Sequence, residues 1–203
     1  MRLAWTAWLT ATLLTPPGAY GNELTIDPES LLPPTLDWSG PSEALIADAS
    51  DPWLTPAEAS GFETTPNYDE TMAWLARLAN HTERLQLLPV GESWEGRTLW
   101  LAIASSEGVS SPEDLQAAGK PILLAQAGIH SGEIDGKDAG LMLLRDLTVG
   151  PLTDLLDRVT LLFIPILNVD GHERISTLSR VNQRGPAEMG WRTNARNLNL
   201  NRD

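Results

Sequence analysis

The sequence predicts an α/β fold with a mixed central sheet flanked by helices. Three patterns support it: two continuous apolar runs of strand length, a helical stretch between them, and an upstream pair of short apolar runs joined by a polar turn. The runs are PILLAQAGI, residues 121–129, and VTLLFIPILN, residues 159–168, and both read as strands buried on two faces. Between them DAGLMLLRDL sets Ala139, Met142, Leu143 and Asp146 to Leu147 at helical spacing, which completes a strand–helix–strand unit. Upstream, PNYDETMAWLARLANHTERLQ places Met72, Leu75 and Leu78 on one helical face, with Asn67 or Asp69 as the cap. LQLLPV, GESWEGR and TLWLAIAS follow as an antiparallel pair around a Gly-containing turn.

The flanks read differently. MRLAWTAWLTATLLTPPGAYG has a basic start, a short apolar stretch, a Pro-Pro-Gly break and small residues before residue 22, which predicts a secretory signal peptide over 1–21. It is too short for a comfortable membrane span, so no membrane association is expected after cleavage. Residues 22–60 are rich in Pro, Ser, Asp and Glu without sustained periodicity, and read as an extended lead-in draped over a domain that occupies 61–203. At 203 residues and 42% hydrophobic content the chain can bury a core, and its formal charge of -13 disfavours nucleic acid. With no cysteine, any metal must be held by His, Asp or Glu. Cysteine-free export favours a bacterial, secreted or periplasmic setting.

The stretch GIHSGEIDGKDAG follows the first buried run and sets His130 three residues before Glu133. Ligands of open α/β sheets bind beyond the carboxyl ends of strands, and that is where His130 falls. An imidazole and a carboxylate are both zinc donors, and Ser131-Gly132 lets the segment curl so that they converge. Alone, such a pair reads more readily as solvated loop residues than as a metal site. Asn168-Val169-Asp170-Gly171 reads as a tight turn closing the second run, His81 and His172 as surface histidines, and Arg97 as a brace for the hairpin.

Four motifs in order, GESWEGRTLWLAIAS, AGIHSGEIDGKDAG, FIPILNVDGHER and WRTNARNLNLNRD, resemble the zinc carboxypeptidases over roughly residues 66–203. The resemblance implies Zn2+ as cofactor, with His130 and Glu133 as its first two ligands, and a peptide with a free C-terminal carboxylate as substrate. It implies that Asn201 and Arg202 grip that carboxylate. For the arginine that stabilises the oxyanion, Arg196 is the first choice, Arg192 the second and Arg184 the third. A third zinc ligand and a glutamate base are implied downstream of Asp203, so the chain reads as the N-terminal part of a catalytic domain, its sheet incomplete and its own activity low. Family members commonly carry an aspartate where this chain has Asn199, and Asp203, where asparagine is more usual, is a candidate to offset the missing charge. The related alternatives are an aspartoacylase-like amide hydrolase and a non-catalytic relative that binds peptides or glycans.

Overall fold

A computed structural model describes residues 39–203 apart from 181, 182 and 184. The predicted signal peptide, the first part of the lead-in and Arg184 lie outside the described residues. The lead-in from residue 39 holds a 3-10 turn, Pro41–Leu45, and a short helix α1, Pro56–Ala59. It is pinned to the domain by charge: Glu58, capping α1 through Thr55, accepts from Arg145 Nη1 at 2.7 and 2.8 Å.

Helix α2, Tyr68–His81, starts on a reciprocal cap in which Asn67 accepts from Glu70 N and Glu70 accepts from Asn67 N. Each removes one orphan donor of the first turn. Its predicted face is inward, with Leu75 and Leu78 wholly buried, and Trp74 joins them. The hairpin follows as β1, Leu85–Glu92, antiparallel to β2, Thr98–Ala104. After a short helix α3, Pro112–Ala117, comes the strand–helix–strand unit: β3, Ile122–Gln126, then α4, Asp135–Thr148, then β4, Thr160–Ile164. Strands β3 and β4 are parallel, β2 and β4 antiparallel, and the described sheet runs β1-β2-β4-β3. Leu75, Leu78, Leu85, Leu141, Leu144, Leu161 and Phe163 form the core between helices and sheet.

Four expectations are corrected. Strand β4 is central and largely buried, but β3 is an edge strand: Ile122, Leu123 and Leu124 are 46%, 58% and 55% exposed, because none of the described strands lies beyond it. Helix α4 turns inward a face that only partly matches the expected set: Asp146 and Leu147 are buried, but Leu141 and Leu144 take the inner positions while Ala139 and Leu143 are exposed, since apolar residues on both sides left its orientation to the sheet. The tight turn after β4 is instead a helical turn, α5, Val169–His172, because Asn168 Oδ1 accepts from Gly171 N at 3.0 Å and caps it. His172 is consequently buried, at 4% exposure, whereas His81 is exposed beside Trp53.

The first turn of α4 buries Lys137, 1% exposed, whose Nζ donates to Pro66 O and lies 3.4 Å from Asp138 Oδ1. Burial lowers its pKa from 10.5 to about 8, only partly opposed by Asp138. Below about pH 8 the fold carries a desolvated ammonium. Between about 8 and 10.5 the folded state gives up a proton that the unfolded chain keeps, so stability rises with pH across that window. Urea denaturation of Lys137→Met against the parent is expected to show that slope flattened, by up to about 3 kcal/mol across the window; parallel curves would show that Lys137 does not titrate there.

Candidate metal site at the carboxyl ends of β3 and β4

The parallel ladder continues past the strands: Ala127 N donates to Ile164 O, Leu167 N to Ala127 O and Asn168 N to Gly128 O, at 2.9 to 3.0 Å. Gly128 takes a φ of +64°, a conformation that L side chains rarely adopt, and there the chain leaves the sheet. A turn closed by Glu133 N donating to His130 O, 2.8 Å, carries both candidate ligands. Gly132 is required here by space rather than by backbone angle, since a Cβ would lie 2.7 Å from Gly190 O. Ser131 Oγ donates to Asn168 O at 2.6 Å and fastens the turn to the end of β4.

His130 is 6% exposed, with Nδ1 3.2 Å from Glu133 Oε1 and Nε2 2.9 Å from Asn199 Oδ1. Asn199 Oδ1 also accepts from Asn201 N at 3.2 Å, which identifies that atom as the amide oxygen. His130 Nε2 must then be the donor, and in the neutral ring Nδ1 is left as a lone pair. A lone pair and a carboxylate oxygen thus face each other, an arrangement that calls for a proton or a cation between them. Their 3.2 Å separation is close to the edge of a tetrahedral site with bonds of ~2.1 Å, roughly 3.4 Å. These two donors fit half of a zinc site. Among the described residues no group of three potential ligands is assembled.

Glu133 is also held by arginines. Arg180 Nη2 donates to its Oε1 at 2.9 Å and Arg192 Nη1 lies 3.6 Å from the same oxygen. Burial opposes the ionised carboxylate, but the hydrogen bond and positive charge of Arg180 hold the pKa of Glu133 below its ordinary value. No motif pointed to Arg180; it arrives through the loop closed by the Ser176–Met189 bridge. Arg192 is brought in by Trp191 N donating to Gly171 O, 2.7 Å, and by Asn168 Nδ2 donating to Arg192 O, 3.3 Å.

Arg196, the first sequence choice, is placed elsewhere: its guanidinium lies over the Trp94 ring at 4.6 Å. The structure therefore brings Arg192 to the pair, and not Arg196. Asn201 and Arg202 are exposed, with Arg202 Nη1 donating to Asn201 O at 2.7 Å. Asp203 accepts from Asn199 N and so closes its own turn rather than bonding to His130. Arg97 braces the hairpin as expected, donating to Glu95 at 2.6 Å, and also to the buried Asp170 at 2.9 Å, so the brace reaches across to α5.

The sequence profile describing zinc carboxypeptidases matches residues 71–203. This chain belongs to the zinc carboxypeptidase family. It is 28% identical over 156 residues to the inactive metallocarboxypeptidase ecm14 of Schizosaccharomyces pombe, covering 71% of this chain and 31% of that protein. It is 30% identical over 127 residues to carboxypeptidase B of Astacus astacus, covering 61% of this chain and 39% of that one. The chain thus spans about a third of the length of these relatives. Among solved structures, carboxypeptidase A from Helicoverpa armigera overlays with a TM-score of 0.49 at 23% identity, over 60% of this chain and 31% of that chain.

Asn199 orients His130 without supplying charge, which makes the ring a weaker donor than a carboxylate partner would. Competition with a chromophoric chelator is expected to show Asn199→Asp binding zinc about 10-fold more tightly than the parent. Unchanged affinity would remove Asn199 from the account of the half-site.

Proposed function

We propose that the protein is an exported, zinc-dependent metallocarboxypeptidase that hydrolyses the last peptide bond of peptides with a free C-terminal carboxylate. The observation that carries this reading is the facing pair of acceptors, His130 Nδ1 and Glu133 Oε1, locked by Asn199. His130 and Glu133 would hold the metal, with a third ligand and a glutamate base from residues beyond Asp203. When bound, zinc supplies Lewis acidity toward water and the scissile carbonyl.

The chain's own residues do the rest. His130 keeps its hydrogen on Nε2, so that Nδ1 remains a ligand. Arg180 shields Glu133 and must yield Oε1 when a cation takes it. Arg192, already beside Glu133, is the better placed arginine to meet negative charge as it develops on the carbonyl oxygen. Arg202 with Asn201 binds the terminal carboxylate, where a planar guanidinium can make two parallel hydrogen bonds and so select chain ends over chain interiors. The leader-like N-terminus supports export.

A second reading, a non-catalytic relative that binds peptide ends, is favoured by one observation, the uncharged Asn199 behind His130.

The test uses the full-length protein and a peptide in free-acid and C-terminally amidated forms. Release of the last amino acid from the free acid alone is expected, abolished by 1,10-phenanthroline and restored by Zn2+, and abolished without rescue in His130→Ala. Arg202→Lys should raise KM, and Arg192→Ala should lower kcat by about 10²-fold or more. Binding without release would support the second reading. Hydrolysis of acylated amino acids in place of peptides would overturn the carboxylate clamp at Arg202.

A further inference from the structure

A second cleft, of about 360 Å³, has neither His130 nor Glu133 in its lining. Its size is at the lower end of small-molecule sites, which run from about 300 to 1,000 Å³. Pro66, Ile175, Pro186, Ala187 and Met189 make most of its wall apolar. Two polar side chains in that wall are almost wholly buried: Ser131, at 1% exposure, whose hydroxyl is committed to Asn168 O, and His172, at 4%.

The ring of His172 is held in one tautomer. Its Nδ1 lies 2.7 Å from Glu173 Oε1, and that carboxylate also accepts from Tyr68 N at 2.9 Å. Burial opposes the ionised form of Glu173, but these hydrogen bonds outweigh it and hold its pKa below the ordinary value. An ionised carboxylate only accepts, so Nδ1 carries the hydrogen. Burial also holds the imidazole below its usual pKa, against the pull of Glu173, which leaves Nε2 as a lone pair. Among the described residues Nε2 has no hydrogen-bond partner, and it is not among the buried polar atoms sealed from solvent. An acceptor that solvent reaches and no described side chain pairs is open to a ligand hydroxyl, which would take the place of water there. At the rim, Glu63 and Glu188 are exposed carboxylates, and no lysine or arginine is found in the lining among the described residues.

We propose that this cleft binds a small hydroxylated aromatic cation, its ring O–H donating to His172 Nε2 and its ammonium facing Glu63 and Glu188. Each part answers a feature of the cleft: the flat apolar body fills the wall, the single donor meets the imidazole acceptor that no described side chain pairs, and the charge complements the rim. The cleft shares Ser131 with the turn that carries the metal pair but uses neither of its donors, and the proposal does not rest on peptidase activity.

The probes are tyramine, phenethylamine, which lacks the hydroxyl, and 3-(4-hydroxyphenyl)propionate, which reverses the charge, titrated into the full chain by calorimetry. Tyramine is expected to bind saturably, phenethylamine about 2- to 10-fold more weakly, the range set by one ordinary hydrogen bond, and the anion not measurably. The difference between the two amines should vanish in His172→Phe and shrink in His172→Gln. Glu63→Gln with Glu188→Gln should weaken tyramine while leaving 4-methylphenol unchanged. His130→Ala should bind tyramine as the parent does. Equal affinity for the two amines in the parent, no saturable tyramine binding, or loss of binding in His130→Ala would each overturn the proposal, and the first two need no variant to fold.

Discussion

Two parallel strands that end side by side, with buried Asn168 just beyond one of them, hold the candidate site together. The ladder between β3 and β4 runs on as far as Asn168 N to Gly128 O, and a Cβ at residue 128 would lie 3.3 Å from Ile166 Cα. From that junction Asn168 reaches in three directions. Its carbonyl accepts from Ser131 beside His130, its Oδ1 caps α5, and its Nδ2 donates to the backbone of Arg192. Replacing its side chain would leave the Gly171 N–H and the Arg192 carbonyl without these partners, on two segments at once, while the backbone bond from Ser131 stays.

The helical turn α5 carries this order outward. Asp170, 3% exposed, accepts from Ser93 Oγ at 2.7 Å and from Arg97, which ties the β1–β2 hairpin to the end of β4. Arg174 on the far side donates to Glu95 at 3.1 Å and to Ala195 O at 3.2 Å. Hairpin, helical turn and C-terminal loop are thus one polar assembly. The stacking of Arg196 on Trp94 belongs to it, an aromatic on the hairpin meeting a cation on the loop.

What could be read in the sequence was local. Helix α2 and its Asn67 cap, the hairpin, and the strand–helix–strand unit follow from periodicity and turn residues within a few positions of one another. The His130–Glu133 contact spans three residues, so its convergence was foreseeable. Properties decided at a distance were not legible. The apolar run of β3 matched a strand buried on both faces, yet only neighbouring strands determine which strand is the edge. Both Arg192 and Arg196 fit the motif, and the difference between them is made by Gly171, twenty-one residues before Arg192, whose carbonyl holds Trp191. Burial of His172 depended on Asn168 capping a helical turn where a sharp one was expected. Arg180 had no signal at all, because a loop closure positions it.

The separation of His130 from Asn199 along the chain also sets an order in time. His130 and Glu133 are three residues apart and can meet as soon as their turn forms, whereas the bond that fixes the histidine's tautomer closes a loop of 69 residues. Closing a long loop loses chain entropy that the intervening elements must first recover, so local contacts precede such distant ones. During synthesis residue 199 also emerges well after residue 130, and until it docks the ring can carry its hydrogen on either nitrogen. Maturation of this corner therefore comes last: a nascent chain holds both donors early, but presents Nδ1 in a committed state only after the 199–203 turn has folded against it.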